Sequence, residues 1–287
     1  MGINNPLVSV LMTAYNREKF IAEAIESVLA SSYKNFELII VDDCSTDATV
    51  KIARSYVQKD VRIKCYVNKT NLGDYPNRNQ AAAYANGEYI MYIDSDDKTY
   101  PDSISYCVME MIASADAGMG ILCRDVELCG KTLTPSQSVI QHFFKKAFLI
   151  MGPGGTILRK SFFEAIGKYP VKYGPANDMY FNLKVAATGN IKCLCKEFLY
   201  YRIHEGQELN NKDAYLIYNY SYLKDALNDL PLPLNNRQKK WIDKKSKRRF
   251  VVNVVAFLIK EKSIKKTIDT VRRANFNLGD AVKGVFH

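Results

Sequence analysis

Apolar residues along this chain come in short unbroken runs and in stretches at helical spacing, and the two patterns alternate. Leu7-Val8-Ser9-Val10-Leu11-Met12-Thr13 is nearly all apolar, as expected of a strand buried on both faces. Ala14-Tyr15-Asn16-Arg17 breaks that run. From residue 18 to residue 30 the apolar positions Phe20, Ile21, Ala24, Ile25, Val28 and Leu29 recur at three and four, which predicts an amphipathic helix. Phe36-Glu37-Leu38-Ile39-Ile40-Val41 reads as a second strand, residues 48–58 as a helix and residues 62–67 as a third strand. A turn-rich loop over 68–79 leads into a short helix over 80–85, which Asn86-Gly87 stops. Tyr89-Ile90-Met91-Tyr92-Ile93 then has the composition of a fourth buried strand, and it ends abruptly in Asp94-Ser95-Asp96-Asp97.

Strands alternating with helices in this way predict an α/β fold with right-handed βαβ units, a doubly wound, mostly parallel sheet flanked by helices. Ligands of such folds bind at the carboxyl ends of the strands. The polar loops expected there carry Thr13, Tyr15, Asp42, Asp43 and Asp94 to Asp97. After a helix over about 102–114 the alternation becomes irregular. Residues 118–123 and 125–129 read as strands, 136–149 as a helix and Gly152-Pro153-Gly154-Gly155 as a flexible turn. Further strands are expected at 156–159, 191–194 and 198–202, and a helix at 176–186 with Asp178 in its first turn. Pro231-Leu232-Pro233 separates this body, 1–230, from an extension over 231–287 that reads as two or more helices beginning near residue 236.

Charge sharpens that division. The net charge is +10, and residues 235–287 hold 15 Lys/Arg against 4 Asp/Glu, which leaves 25 against 26 for residues 1–234. A nearly neutral body argues against a nucleic-acid partner, whose phosphates would call for positive charge in the working cleft. Within the basic extension, the apolar run from Phe250 to Ile259 has two readings: burial against the body, or peripheral contact of the tail with an anionic membrane. The first residues lack the basic and apolar segments of a signal peptide, and no stretch approaches the ~20 apolar residues of a bilayer span. A cytoplasmic location is expected, at most peripheral at the inner face of a membrane. Cys44, Cys65, Cys107, Cys123, Cys129, Cys193 and Cys195 form an odd set without a C-x-x-C pair, which predicts free thiols in a reducing compartment.

The chemistry begins with the acids. Three carboxylates within four residues repel one another, so a cation is the natural partner, Mn2+ or Mg2+ ahead of a Lys or Arg cluster. The plainer alternative is a solvated acidic loop that caps the next helix. No Gly-x-Gly-x-x-Gly follows the first strand and no P-loop Gly-Lys-Ser/Thr occurs, so dinucleotide redox chemistry and common ATP hydrolysis lose their signatures. Two acidic clusters with Arg78 between them instead suit a nucleoside diphosphate compound.

Val8 to Asn16, Ile40 to Asp47, Asn71-Leu72-Gly73 with Arg78-Asn79, and Asp94-Ser95-Asp96-Asp97 before Pro101 resemble, in order and spacing, the family 2 inverting glycosyltransferases of the GT-A fold. The resemblance covers about residues 7–115 and continues in Asn177-Asp178, where the family usually has Glu-Asp, and in Tyr201-Arg202-Ile203-His204. Cys44 stands where the family usually has glycine. The resemblance implies a nucleotide-binding half over 1–115 and an acceptor-binding half over 116–230. It implies that Thr13, Tyr15, Asp43 and Arg78 contact the donor's base side, and that Asp94 and Asp96 form the Asp-x-Asp pair of ribose and metal. Asp97, Gly154, Gly155 and Asn177 are expected near donor sugar or acceptor. Arg202 and His204 are expected to close over the diphosphate, with a structural salt bridge as the alternative for Arg202. Asp178 is the expected catalytic base.

The implied activity is metal-dependent transfer of a sugar from a nucleotide sugar, a UDP-sugar by expectation, to a carbohydrate or lipid-linked hydroxyl acceptor in surface polysaccharide or oligosaccharide assembly. Two other classes compete. One is a nucleotide-sugar-binding subunit without transfer, against which the intact acids speak. The other is a nucleotidyltransferase, which would carry a Gly-rich basic loop where this chain has Ala14-Tyr15-Asn16-Arg17.

Overall fold

A computed structural model describes residues 5–204 and 212–285. In chain order the elements are β1 (Val8–Ala14), α1 (Ile21–Leu29), β2 (Phe36–Asp42), α2 (Thr49–Val57), β3 (Ile63–Val67), α3 (Asp74–Ala83) and β4 (Tyr89–Tyr92). Next come β5 (Lys98–Thr99), α4 (Ser103–Ile112), β6 (Ala117–Leu122), β7 (Thr132–Leu133), α5 (Pro135–Ile140), β8 (Thr156–Arg159) and α6 (Lys160–Ala165). The chain continues through α7 (Asn177–Thr188), β9 (Asn190–Leu194), β10 (Leu199–Tyr200), α8 (Lys212–Asp229), α9 (Asn236–Glu261), α10 (Ile264–Arg273) and α11 (Leu278–Val285).

The strands form one sheet in the order β3-β2-β1-β4-β8-β6-β9-β7. β1, β2, β3 and β4 are mutually parallel, β8 runs antiparallel between β4 and β6, and β6 pairs in parallel with β9. The sheet is therefore mostly parallel, with β7 and β8 reversed. Its central strands are mostly apolar because both faces are covered. Val8, Val10, Met12 and Ala14 of β1 enter one core with Leu38 and Ile40 of β2 and with Ile21, Ala24, Ile25 and Val28 of α1. The intervening Leu11, with Ile39 and Val41, enters the other core beside Tyr92, Phe181 and Val185. β10 turns back to pair antiparallel with β5, Leu199 opposite Thr99 and Tyr200 opposite Lys98. That pairing brings the chain after residue 200 beside the acidic loop after β4.

Several expected elements differ. α3 begins at Asp74, inside the expected loop, because Pro76 falls in a first helical turn where its missing N–H costs nothing. The strand expected over 125–129 is a 3-10 turn, Val126–Leu128, since the Asp125 side chain accepts from the Glu127 N–H and favours a turn. The helix expected over 136–149 is shorter: α5 starts at a Thr134/Gln137 capping box and passes into a π turn, Gln141–Lys145. The strand expected over 198–202 shrinks to Leu199–Tyr200, since Arg202 donates its N–H to Asp97 rather than to a neighbouring strand. α6 and α8 stand where the pattern gave no assignment.

The expectation that every cysteine is a free thiol needs correction. The antiparallel pairing of β7 with β9 carries Cys195 opposite the turn that holds Cys129, and the two form a disulfide with Cα atoms 5.3 Å apart. The other five cysteines are free. Among the described residues, no helix is long and apolar enough to cross a membrane.

Candidate active site

A cavity of about 770 Å3 opens at the carboxyl ends of β1, β2 and β4. The Ile150–Gly155 segment, the start of α7 and two α8 side chains, Tyr215 and Asn219, complete its walls. Of the residues singled out in the sequence, Thr13, Tyr15, Asp43, Arg78, Asp94, Asp96, Asp97, Gly154, Gly155 and Asp178 all line it. Arg17, Asp74, Tyr75 and Tyr201 line it as well, and none of these four was anticipated.

The loop after β2 shapes one end. Asp43 is buried, and its Oδ1 accepts from Asn68 Nδ2 and the Leu72 N–H, each at 2.8 Å, while its Oδ2 accepts from the Gly73 N–H at 2.8 Å. Gly73 reaches that geometry with φ +88°, a conformation that L side chains rarely adopt. Asp43 is thus first the organiser of the Asn71-Leu72-Gly73 turn, with lone-pair capacity left toward the cavity. Cys44 takes φ +68°, which accounts physically for the usual glycine at this position. Tyr15 is exposed at the rim.

Arg78 binds two carboxylates with one planar fork. Its Nε donates to Asp74 Oδ1 at 2.8 Å and its Nη1 to Asp94 Oδ1 at 2.6 Å. The guanidinium is buried between the Tyr75 and Tyr92 rings. Arg78, expected to contact the base of the donor, lines the cavity and also holds Asp94 in place.

Asp96 accepts at Oδ2 from Arg17 Nε at 2.9 Å, and the same oxygen lies 2.9 Å from His204 Nε2. Asp97 accepts the Arg202 N–H at Oδ1, 2.9 Å. Burial, with Asp94 and Asp96 close by, pushes the Asp97 carboxyl up to about 7. Arg202 donates from Nε to the Asp96 carbonyl at 2.9 Å and from Nη2 to Glu23 at 2.8 Å. It lies over Phe20, and His204 stacks on the same ring at 4.7 Å. Arg202 and His204 are not among the residues that line the cavity; they clasp the acidic loop, and the salt bridge weighed for Arg202 is present, to Glu23. Arg17 offered one sequence signal: a lone cation just after a strand whose neighbour ends in three acids.

Asp178 occupies the first turn of α7. Its N–H donates to the Tyr75 hydroxyl at 3.3 Å and its Oδ1 accepts the Met179 N–H at 2.6 Å. A Cβ on Gly152 would lie 3.5 Å from Oδ2, so glycine there keeps the carboxylate open. Burial raises the carboxyl to about 7, against the pull of the Met179 N–H and of Arg78. Asn177 is placed differently from its expected contact with sugar or acceptor. It is buried off the cavity, accepting from the Tyr173 N–H at 2.9 Å and donating to the Gly174 carbonyl at 2.7 Å. Gly154 and Gly155 do line the cavity, but the space beside them is filled by this chain: added Cβ atoms would meet Leu199 at 3.0 Å and Met151 at 2.9 Å.

Known proteins place this arrangement. Residues 9–167 match the family described as Glycosyl transferase family 2. A putative colanic acid biosynthesis glycosyl transferase of Escherichia coli, WcaA, is 45% identical over 104 residues, 36% of this chain and 37% of that protein. The matched segments span little more than a third of the length of several such curated relatives. The crystal structure of S. aureus TarS 1-349 with UDP-GlcNAc has the same fold, with TM-score 0.74 at 21% identity over 97% of this chain and 81% of that one. The mannosyltransferase PcManGT from Pyrobaculum calidifontis, in complex with GDP-Man and Mn2+, gives TM-score 0.67 at 16% identity over 98% of this chain and 88% of that one. By its sequence over more than half its length, and with a GT-A fold, the chain belongs to glycosyl transferase family 2.

Proposed function

We propose that this chain transfers a sugar from a UDP-sugar to a hydroxyl acceptor with inversion at the anomeric carbon. The observation that carries the reading is the division of carboxylates in one cavity. Asp94 and Asp96 are tied to Arg78, Arg17 and His204, while Asp178 forms no ion pair among the described residues and sits near neutrality.

A divalent cation fits the first group. Asp96 and His204 bring an oxygen and a nitrogen donor within 2.9 Å of each other, with Asp94 two residues away. No trio of His, Cys, Asp or Glu among the described residues forms a metal site alone. Few protein ligands are what Mg2+ or Mn2+ takes when substrate phosphates complete its shell. Asp96, with His204 or Asp94 beside it, would hold Mn2+ or Mg2+, which when bound would neutralise the charge that develops on the departing diphosphate. The solved structure with GDP-Man and Mn2+ supports a divalent cation beside the nucleotide sugar, and the one with UDP-GlcNAc supports a uridine donor.

This chain's own residues supply the rest. Arg17, Asp43 and the turn it organises position the donor at the strand ends. Asp178 takes the proton of the acceptor hydroxyl as that oxygen attacks the anomeric carbon and the bond to the diphosphate breaks. A base near pH 7 matches that task. The relative in colanic acid biosynthesis supports a growing surface polysaccharide as acceptor.

Asp178→Asn is expected to abolish transfer while UDP affinity, measured by calorimetry with Mn2+, changes little. Retained transfer would remove the assignment of the base.

A further inference from the structure

α9 is a 26-residue helix opened by an Asn235/Gln238 capping box, and it divides the apolar run of the extension between two faces. Phe250 and Phe257 are buried, and Val254 packs with Phe250 against the α8 residues Ile217 and Tyr220. The opposite face carries Trp241, Lys245, Arg248, Val252, Val255 and Ile259, spaced at three, four and seven so that they form one stripe. Every one of these six is exposed, Val252 at 60%, Val255 at 51% and Ile259 at 70%, although the Trp241 ring also lies 5.1 Å from that of Phe144. Burial against the body therefore explains only half of the run.

We propose that this stripe docks on an anionic lipid surface. Its two halves are different in kind. The first is cationic, with Lys245 lying 4.8 Å from the Trp241 ring centroid, and the second is aliphatic. α9 as a whole holds nine Lys/Arg against two acids, and α10 adds four against one.

A second copy of this chain laid on the same stripe would set the cationic half against like charge or against aliphatic side chains, and neither arrangement satisfies it. A polynucleotide would satisfy the cations but leave three exposed aliphatic side chains facing phosphates. A bilayer surface meets both needs, with acidic headgroups for the basic half and the acyl boundary for the aliphatic half, while Trp and long cationic side chains suit the interface itself. α8 packs on α9 and also lines the catalytic cavity with Tyr215 and Asn219. Docking there would hold the far wall of the cavity one helix away from the membrane surface. The inference does not depend on which sugar is moved, or on transfer at all.

The test is flotation of the full chain with vesicles of phosphatidylcholine alone and with phosphatidylglycerol added. Binding to the anionic vesicles only, weakened by salt, is expected. Val252→Ser/Val255→Ser/Ile259→Ser should weaken it about tenfold or more through lost apolar burial. Lys245→Gln/Arg248→Gln, which leaves the apolar half intact, should weaken it about tenfold through lost attraction to headgroups. Far-ultraviolet circular dichroism of each variant should match the parent, because all five positions face solvent. Equal binding to both vesicle types, binding that neither variant alters, or concentration-dependent dimerisation without vesicle binding would overturn the proposal.

Discussion

His204 Nε2 lies 2.9 Å from Asp96 Oδ2 across 108 residues of sequence, and Phe20 stacks behind the imidazole at 4.7 Å. Two side chains able to bind a metal thus meet at hydrogen-bond distance, and a ring that has no chemistry of its own backs one of them. Asp96→Asn should remove the gain in UDP affinity that Mn2+ brings. His204→Ala should raise the Mn2+ concentration needed for half of that gain by about tenfold or more. Calorimetric titration of UDP at several Mn2+ concentrations reads both, and UDP binding by the parent that is indifferent to Mn2+ would sink the assignment.

The fork of Arg78 makes a second prediction. Its Nε and Nη1 hold Asp74 and Asp94 at once, and the group is only 7% exposed. Arg78→Met should cost about 2 kcal/mol of stability, since two charge-assisted hydrogen bonds are lost while the carboxylates regain some water. Arg78→Lys should restore little, because one ammonium cannot reproduce a two-pronged planar contact. Urea unfolding gives the stability, and the thermal shift on adding UDP-sugar should shrink in both variants as Asp94 is released.

What the sequence made legible follows from how local each signal is. β1, β2 and β4 are nearly continuous apolar runs because both their faces are buried, and each signal lies within about seven residues. The acids follow β4 directly, so their place at the strand ends could be read along with the strand. The partnership of Asp96 with His204 could not, because it depends on β10 turning back to β5, a two-residue pairing. Arg17 showed in the sequence as a lone cation where a strand breaks off, but its role depends on β1 lying beside β4. Asn177 misleads for a related reason: it neighbours Asp178 in sequence, yet its amide is spent on Tyr173 and Gly174. Cys44 shows the converse, a substitution noticed in sequence whose meaning, a left-handed backbone, only the structure supplies.

The cysteines give a chemical count. Without reductant the unfolded protein should titrate five thiols, and after reduction seven, because only Cys129 and Cys195 are bridged. The bridge spans 66 residues of sequence, so Cys129→Ser should lower stability by about 2–4 kcal/mol under oxidising conditions. The same substitution should have much less effect once the parent has been reduced. Seven reactive thiols before reduction would exclude the bridge in solution.

The last prediction concerns pH. A base must be ionised to accept a proton, so with the Asp178 carboxyl at about 7 the rate should fall with a slope of one as pH drops below that value. Asp97 is also raised to about 7, and the two must be separated. Asp97→Asn should keep the acid limb if Asp178 is the base; a limb that disappears in that variant would assign the titration to Asp97. Stability offers an independent reading of Asp178. Its native carboxyl is at about 7, and an unfolded aspartate titrates near ~4, so burial favours the protonated native state. That contribution is fully present below about pH 4 and is lost as pH rises through about 7. Asp178→Asn cannot ionise, so its melting temperature should exceed the parent's by more at pH 8 than at pH 5. A difference that is constant across that range would mean that Asp178 is not raised, and the case for a base poised at neutrality would fall with it.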